Sequence, residues 1–172
     1  DGGFFHKIIF LGKILSGNRR VSNEILKIIK DKKIDIVHFH NVFPLITPFV
    51  YRFLKKHSNV KIVQTIHNFR FVCPSGLLFH NGKICKSCLM TGNFKPCIST
   101  KCYRDSRLFS VLYSYLIKKT AISVRNDIDL CLTLNEFAKS ILVQAGFKDD
   151  KIKVRGNSLP DIQECKRLEG KH

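Results

Sequence analysis

Two groups of residues in this chain have types and spacings that could do chemistry. The first is His67-Asn68, which closes the β-branched run "KIVQTI". An imidazole at a strand end can donate a hydrogen bond to a sugar hydroxyl or a phosphate. It can also act as acid or base near neutral pH, or simply position a turn. The second follows at once: cysteines spaced C-x11-C-x2-C-x8-C-x4-C from Cys73 to Cys102. A C-x2-C pair flanked by distant thiols suits a tetrahedral zinc site, the short pair forming one knuckle. Disulfides would serve instead in an oxidising compartment, and free thiols are the third possibility. Cys131, within an apolar run, reads as a core residue.

Such groups need elements to hold them. "RRVSNEILKIIKDKK" carries Val21, Ile25, Ile28 and Ile29 at helical spacing, with Ser22 placed to cap the helix. "IDIVHFHN" is a short strand, and "PLITPFVYRFLKKHS" a helix with proline in its first turn. After the strand ending at His67, a cysteine-rich loop covers roughly 70–102. "SRLFSVLYSYLIKKTAISVRN" then predicts a long apolar helix. "DIDLCLTLN" is a third strand, "EFAKSILVQAGF" a helix closed at Gly146, and "DKIKVRGN" a fourth strand. Strands alternating with helices predict an α/β fold: a Rossmann-like parallel sheet with helices on both faces.

In a parallel sheet all strand C-termini share one edge, where ligands bind. The residues that follow the four strands are His38, His40 and Asn41, then His67 and Asn68, then Asn135 and Glu136, then Arg155 and Asn157. Four strands thus deliver polar groups to one edge. His38 and His40, two apart, share a face. A metal pair there would need a third ligand that the neighbouring sequence does not supply. Glu136, at a helix start, also suits compensation of the helix dipole.

Composition sets the outer bounds. The chain has 172 residues, 44% of them hydrophobic, enough for one domain with a real core. Its 30 Lys and Arg against 13 Asp and Glu give a net charge of +17. That balance favours anionic partners: nucleic acid, an acidic membrane surface or phosphorylated substrates. The most apolar region, "IVHFHNVFPLITPFVYRFL", is broken by His, Asn, Pro and Arg, which excludes it as a membrane span. The chain starts on Asp1 and reads as a piece of a longer protein.

Five stretches, in order, resemble the N-terminal domain of glycosyltransferase family 4 enzymes: "IDIVHFHNVFPLITP", "VQTIHNFRFVCPSGLLFHNGKICKSC", "KCYRDSRL", "LTLNEFAKSIL" and "KIKVRGNSLPD". The resemblance covers roughly residues 20–161. It implies the acceptor-side half of a GT-B fold, in an enzyme that transfers a sugar from a nucleotide-sugar donor with retention. The domain would span 1–160, incomplete at its start, and 161–172 would begin an interdomain linker. The donor would be held mainly by a C-terminal domain absent here, so the piece alone is expected to be inactive.

On this resemblance His67 contacts the donor sugar near the anomeric centre. Asn41, Asn68, Asn135, Glu136 and Asn157 match the cleft side of the domain. A subgroup with a similar cysteine pattern implies Cys73, Cys85, Cys88 and Cys102 as zinc ligands, with Cys97 as an extra. The acceptor would be a glycan, lipid-linked or cell-envelope molecule. The enzyme would be cytoplasmic, held by a basic face on anionic lipid at the inner membrane surface, with no nucleic-acid partner. Three departures stand out. The glycine-rich first βα unit and the second domain's paired glutamates are missing, and Asn135 stands where relatives often carry Ser. The rivals are a zinc-containing basic nucleic-acid binder, with Phe69, Phe71 and Phe79 near Arg70 and His80, and a non-catalytic scaffold of the same fold.

Overall fold

The computed structural model describes Gly12, residues 17–43 and residues 45–157. The expected linker at 161–172 lies outside the described residues, as does Cys165. The elements run α1 (Arg19–Asp31), β1 (Ile36–Phe39), α2 (Phe49–His57), β2 (Lys61–Ile66), β3 (Phe79–His80), β4 (Lys83–Ile84), α3 (Ser87–Thr91), α4 (Lys95–Ser99), α5 (Arg107–Asp127), β5 (Leu130–Thr133), α6 (Glu136–Gln144) and β6 (Ile152–Val154). Four strands form one sheet in the order β1-β2-β5-β6, every neighbouring pair parallel. The alternation read from the sequence is therefore the observed architecture, a parallel sheet with helices packed around it. A separate antiparallel pair, β3 and β4, sits inside the cysteine-rich segment.

Residue alternation divides the sheet into two unlike faces. Phe39, Ile62, Gln64, Ile66, Cys131 and Ile152 point to one side and are nearly inaccessible. They pack with Val50, Tyr51 and Leu54 of α2, and with Leu116 and Val124 of α5, in a single core. The other side carries His38 and Ile36, both exposed, with Val63, Leu130 and Leu132 half-buried. α2 contacts both α1 and α5, so these three helices form one layer.

The caps explain the boundaries. Asn18 caps α1, its side-chain oxygen accepting from the Val21 N–H at 3.4 Å. Ser22 is inside that helix and buried, not its cap, because a capping group one turn earlier satisfies the first free N–H groups. Ile28, counted above with the apolar face, is 55% exposed, while Ile25, Leu26 and Ile29 pack inward. Pro48 takes the N-cap position of α2, where its missing N–H costs nothing. Ser106 caps α5 by accepting from Phe109 N–H. Gly146, at φ +87°, stands just past the C-cap of α6, and Phe147 N–H closes back on Leu142 O at 3.1 Å. Among the described residues no helix is long and apolar enough to cross a membrane.

Candidate functional site

The parallel register brings the histidines of two strands together. His38 pairs with Val63 and Phe39 with Gln64, so His40 is level with Thr65. Side chains two residues further along β2 lie on the same face, one diagonal step away. Both contacts that this predicts are made. His38 Nε2 lies 2.8 Å from Thr65 Oγ1, and His40 Nδ1 lies 3.0 Å from His67 Nε2. The His38 and His40 rings are 4.4 Å apart at their centroids, so three imidazoles form a row. Arg155, past the end of β6, adds a guanidinium to the row. Burial, then His40, Arg155 and His67, hold the His38 imidazole below its ordinary value.

These groups line a groove of about 320 Å³ with Thr65, Leu132, Leu134, Gly156 and Asn157. Among the described residues no carboxylate lines it. The groove opens on the exposed face of the sheet, at the strand C-termini.

A buried amide on the other side of the sheet braces the strand end. Gln64, 1% exposed, accepts from the Tyr51 hydroxyl at 2.6 Å. Its amide N–H groups donate to the backbone carbonyls of His40 at 3.1 Å and Thr65 at 2.7 Å. The end of β1, which bears His40, is thereby fastened through β2 to α2.

The other expected site residues divide. Asn157 is in the groove with His67. Asn41 and Asn68 line a small hollow beside His40 and His67. Their side-chain oxygens accept from Phe43 N–H at 3.2 Å and Arg70 N–H at 3.1 Å, which shapes the turns leaving β1 and β2. Asn135 caps α6, its Oδ1 accepting from Ala138 N–H at 2.8 Å, and Glu136 opens that helix. Neither lines the groove or the small hollow. Sequence reading had found no third group for His38 and His40. The missing signal was strand parity, which puts His67 on their face.

The cysteine-rich segment is anchored in the core by Val72, Cys73, Leu78 and Tyr103. Cys73, Cys85, Cys88, Cys97 and Cys102 all line one pocket of about 180 Å³, together with His80. Among the described residues every cysteine is a free thiol. Burial pushes the Cys88 thiol up to about 11, against a backbone hydrogen bond from Cys97 that pulls the other way. Burial and a hydrogen bond with Cys97 push Cys102 up as well. Cys97, at 2% exposed, is an integral member of this cluster. Five thiols and a His80 Nε2 that is buried without a hydrogen-bond partner form a zinc-type donor set. Among the described residues, no three such groups are arranged to hold a metal ion as they stand. Arg70 ties the segment's two ends, its guanidinium lying over the Tyr103 ring at 5.5 Å. Gly76 is required beneath it: at φ +80° a Cβ would sit 2.7 Å from Arg70 Cγ.

A parallel sheet with a polar groove at its strand C-termini is common to many enzymes, so the fold alone does not name the chemistry. A sequence model described as Glycosyltransferase Family 4 matches residues 4–159. The chain belongs to glycosyltransferase family 4. No curated protein and no solved structure matches it. Membership carries a glycosyltransferase-type function in general terms.

Proposed function

We propose that this chain is the acceptor-side domain of a retaining glycosyltransferase that uses a nucleotide-sugar donor. The observation that carries the reading is the His40–His67 pair at the open end of β1 and β2, in a groove that no carboxylate lines among the described residues. His67, exposed, meets the donor sugar near its anomeric centre. Arg155 supplies positive charge, and the imidazoles hydrogen-bonding groups, where a donor phosphate would lie. Asn157 joins them, and Asn41, Asn68, Asn135 and Glu136 shape the surrounding cleft. The acceptor is a glycan, lipid-linked or cell-envelope molecule, and the nucleotide is held mainly by a second domain. The tightly capped role of Asn135 fits scaffold as well as contact.

Cys73, Cys85, Cys88 and Cys102 would hold a structural zinc, which would order residues 70–102 and take no part in sugar transfer. Elemental analysis of protein purified without added zinc checks this. Absence of metal, with all thiols reacting readily with a thiol reagent, overturns it.

The function is tested by supplying the full-length protein with nucleotide sugars and an acceptor extract. Transfer with retained anomeric configuration, lost in His67→Ala, is the expected result. Enzymic turnover by residues 1–172 alone would overturn the two-domain reading. Steeply salt-dependent nucleic-acid binding without sugar transfer would favour the nucleic-acid binder instead.

A further inference from the structure

His67 is exposed, and among the described residues its ring makes a single hydrogen bond, the one to His40. The partner ring is held from its other side. His40 lies between two imidazoles, its centroid 4.4 Å from that of His38 and 5.3 Å from that of His67. The planes of His40 and His67 differ by only 21°. His38 is itself tied to Thr65 Oγ1, and the His40 carbonyl to the Gln64 amide. What orients His67 is thus a side chain already fixed by two strands.

The chemistry of the contact says more than its distance. A neutral imidazole has one N–H and one lone-pair nitrogen. At 3.0 Å, His40 Nδ1 and His67 Nε2 must hold one proton between them. A doubly protonated pair would set N–H against N–H and could not make this bond. Two neutral arrangements remain. If His40 Nδ1–H donates, both rings carry their proton on Nδ1. If His67 Nε2–H donates, both carry it on Nε2. A free histidine side chain favours the proton on Nε2, away from its own backbone. Nothing in the groove opposes that preference: among the described residues, neither His40 Nε2 nor His67 Nδ1 makes a hydrogen bond.

We propose that His40 is a positioning residue: it accepts from His67 Nε2–H and so leaves the lone pair of His67 Nδ1 free for the ligand. His67 then meets a sugar hydroxyl as an acceptor, not as a donor. The N–H that the pair offers belongs to His40 Nε2. A hydroxyl that donates to His67 Nδ1 polarises the ring and strengthens its Nε2–H bond to His40, so the two bonds support each other. The inference rests on the sugar-transfer reading for its ligand. It does not rest on that reading for the tautomer, which belongs to the chain itself.

The first test is a long-range proton–nitrogen NMR correlation on the chain with nitrogen-labelled histidine, His67 being assigned from the His67→Ala spectrum. It is run at about pH 8, where an ordinary imidazole is neutral. His67 is expected to show a protonated Nε2 and a bare Nδ1. His40→Leu is expected to move both nitrogens towards the averaged values of a free side chain. His40→Asn, whose Oδ1 stands where Nδ1 stood, is expected to restore them. Both variants are expected to melt as wild type, since His40 is exposed. A protonated Nδ1 on His67, or nitrogens that His40→Leu leaves unmoved, overturns the proposal. In the full-length protein, His40→Leu is expected to lower kcat/KM for sugar transfer roughly tenfold, and His40→Asn to recover most of the loss. Equal losses in the two variants overturn the positioning role and make the His40 ring itself a ligand contact. Absence of sugar transfer in the wild type, with the NMR result as expected, overturns the sugar-transfer reading alone and supports the pair as assigned.

Discussion

The two ends of the parallel sheet handle charge in opposite ways. At the N-terminal end, Asp129 meets both partners a carboxylate could want. Its Oδ2 accepts from Lys55 Nζ at 2.5 Å and from Ile62 N–H at 2.7 Å, with Lys61 nearby at 3.8 Å. At the C-terminal end, three imidazoles and Arg155 face a groove that no carboxylate lines among the described residues. The first end balances its charge internally and so serves the fold. The second, among the described residues, gives Arg155 no carboxylate within the groove.

Four experiments break or sharpen that contrast. The largest effect is expected from His67→Ala in the full-length protein. Sugar transfer should fall by about 10² to 10⁴-fold, the usual contribution of a positioned acid or base. The melting temperature should hold, since His67 is exposed. A fall in melting temperature with activity intact would assign the C-terminal end to structure and erase the contrast.

Asp129→Ala should do the reverse. It leaves the Ile62 N–H and the Lys55 amine without their shared acceptor, at a cost of about 2–3 kcal/mol. Urea unfolding measures this, and the rate per folded molecule should be unchanged. Gln64→Leu comes next, at about 2 kcal/mol, because it strands the buried Tyr51 hydroxyl. It also frees the His40 carbonyl, so the KM for donor should rise along with the stability loss. An unchanged KM would detach the amide from the site.

The smallest effect is in pH dependence, where the two ends part by sign and window. Burial works to raise Asp129, but the Lys55 and Ile62 hydrogen bonds and the lysine charges outweigh it, and the net shift is downward. Its stabilising share is present above the unfolded value near 3.8 and is lost as pH falls through the lower folded value. His38, also lowered, stays neutral in the fold where the unfolded chain would already take a proton. Its share is complete above about 6.5 and is lost as pH falls below that. Melting curves should therefore weaken first below pH 6.5, and His38→Gln should remove that early limb while leaving the one below 3.8. A His38→Gln curve identical to wild type would show that the imidazole row does not couple to folding.

Much of the fold was legible because periodicity reports burial. "IDIVHFH", "KIVQTI" and "LCLT" could only be strands of a shared sheet, and the helices between them showed their apolar faces. The caps were less legible. Ser22 and Asn18 are equally good cap types, and the choice depends on which turn the chain enters first. His67 was legible as a strand-end group, but its partner His40 was not, since pairing depends on register across strands rather than on local sequence. The thiol spacing announced a cluster. It did not reveal that Cys97 lies inside it, because short helices such as α3 and α4 carry no periodicity long enough to read. The brace built by Gln64 was hidden for the opposite reason: a polar residue in a strand gives no sign of which way it faces until the strand is placed.

The cysteine-rich segment leaves the core at the end of β2 and rejoins it at α5. The pairing of Val63 with Leu130 is fixed by the strands themselves and does not pass through that segment. Its anchors are few, Val72, Leu78 and Tyr103 among them, whereas Leu77, Phe79, Ile84 and Met90 stand well out in solvent. Over evolutionary time such a layout separates what must be kept from what can drift. Residues between the anchors can be exchanged, lengthened or lost, while the histidine row inherits an undisturbed frame.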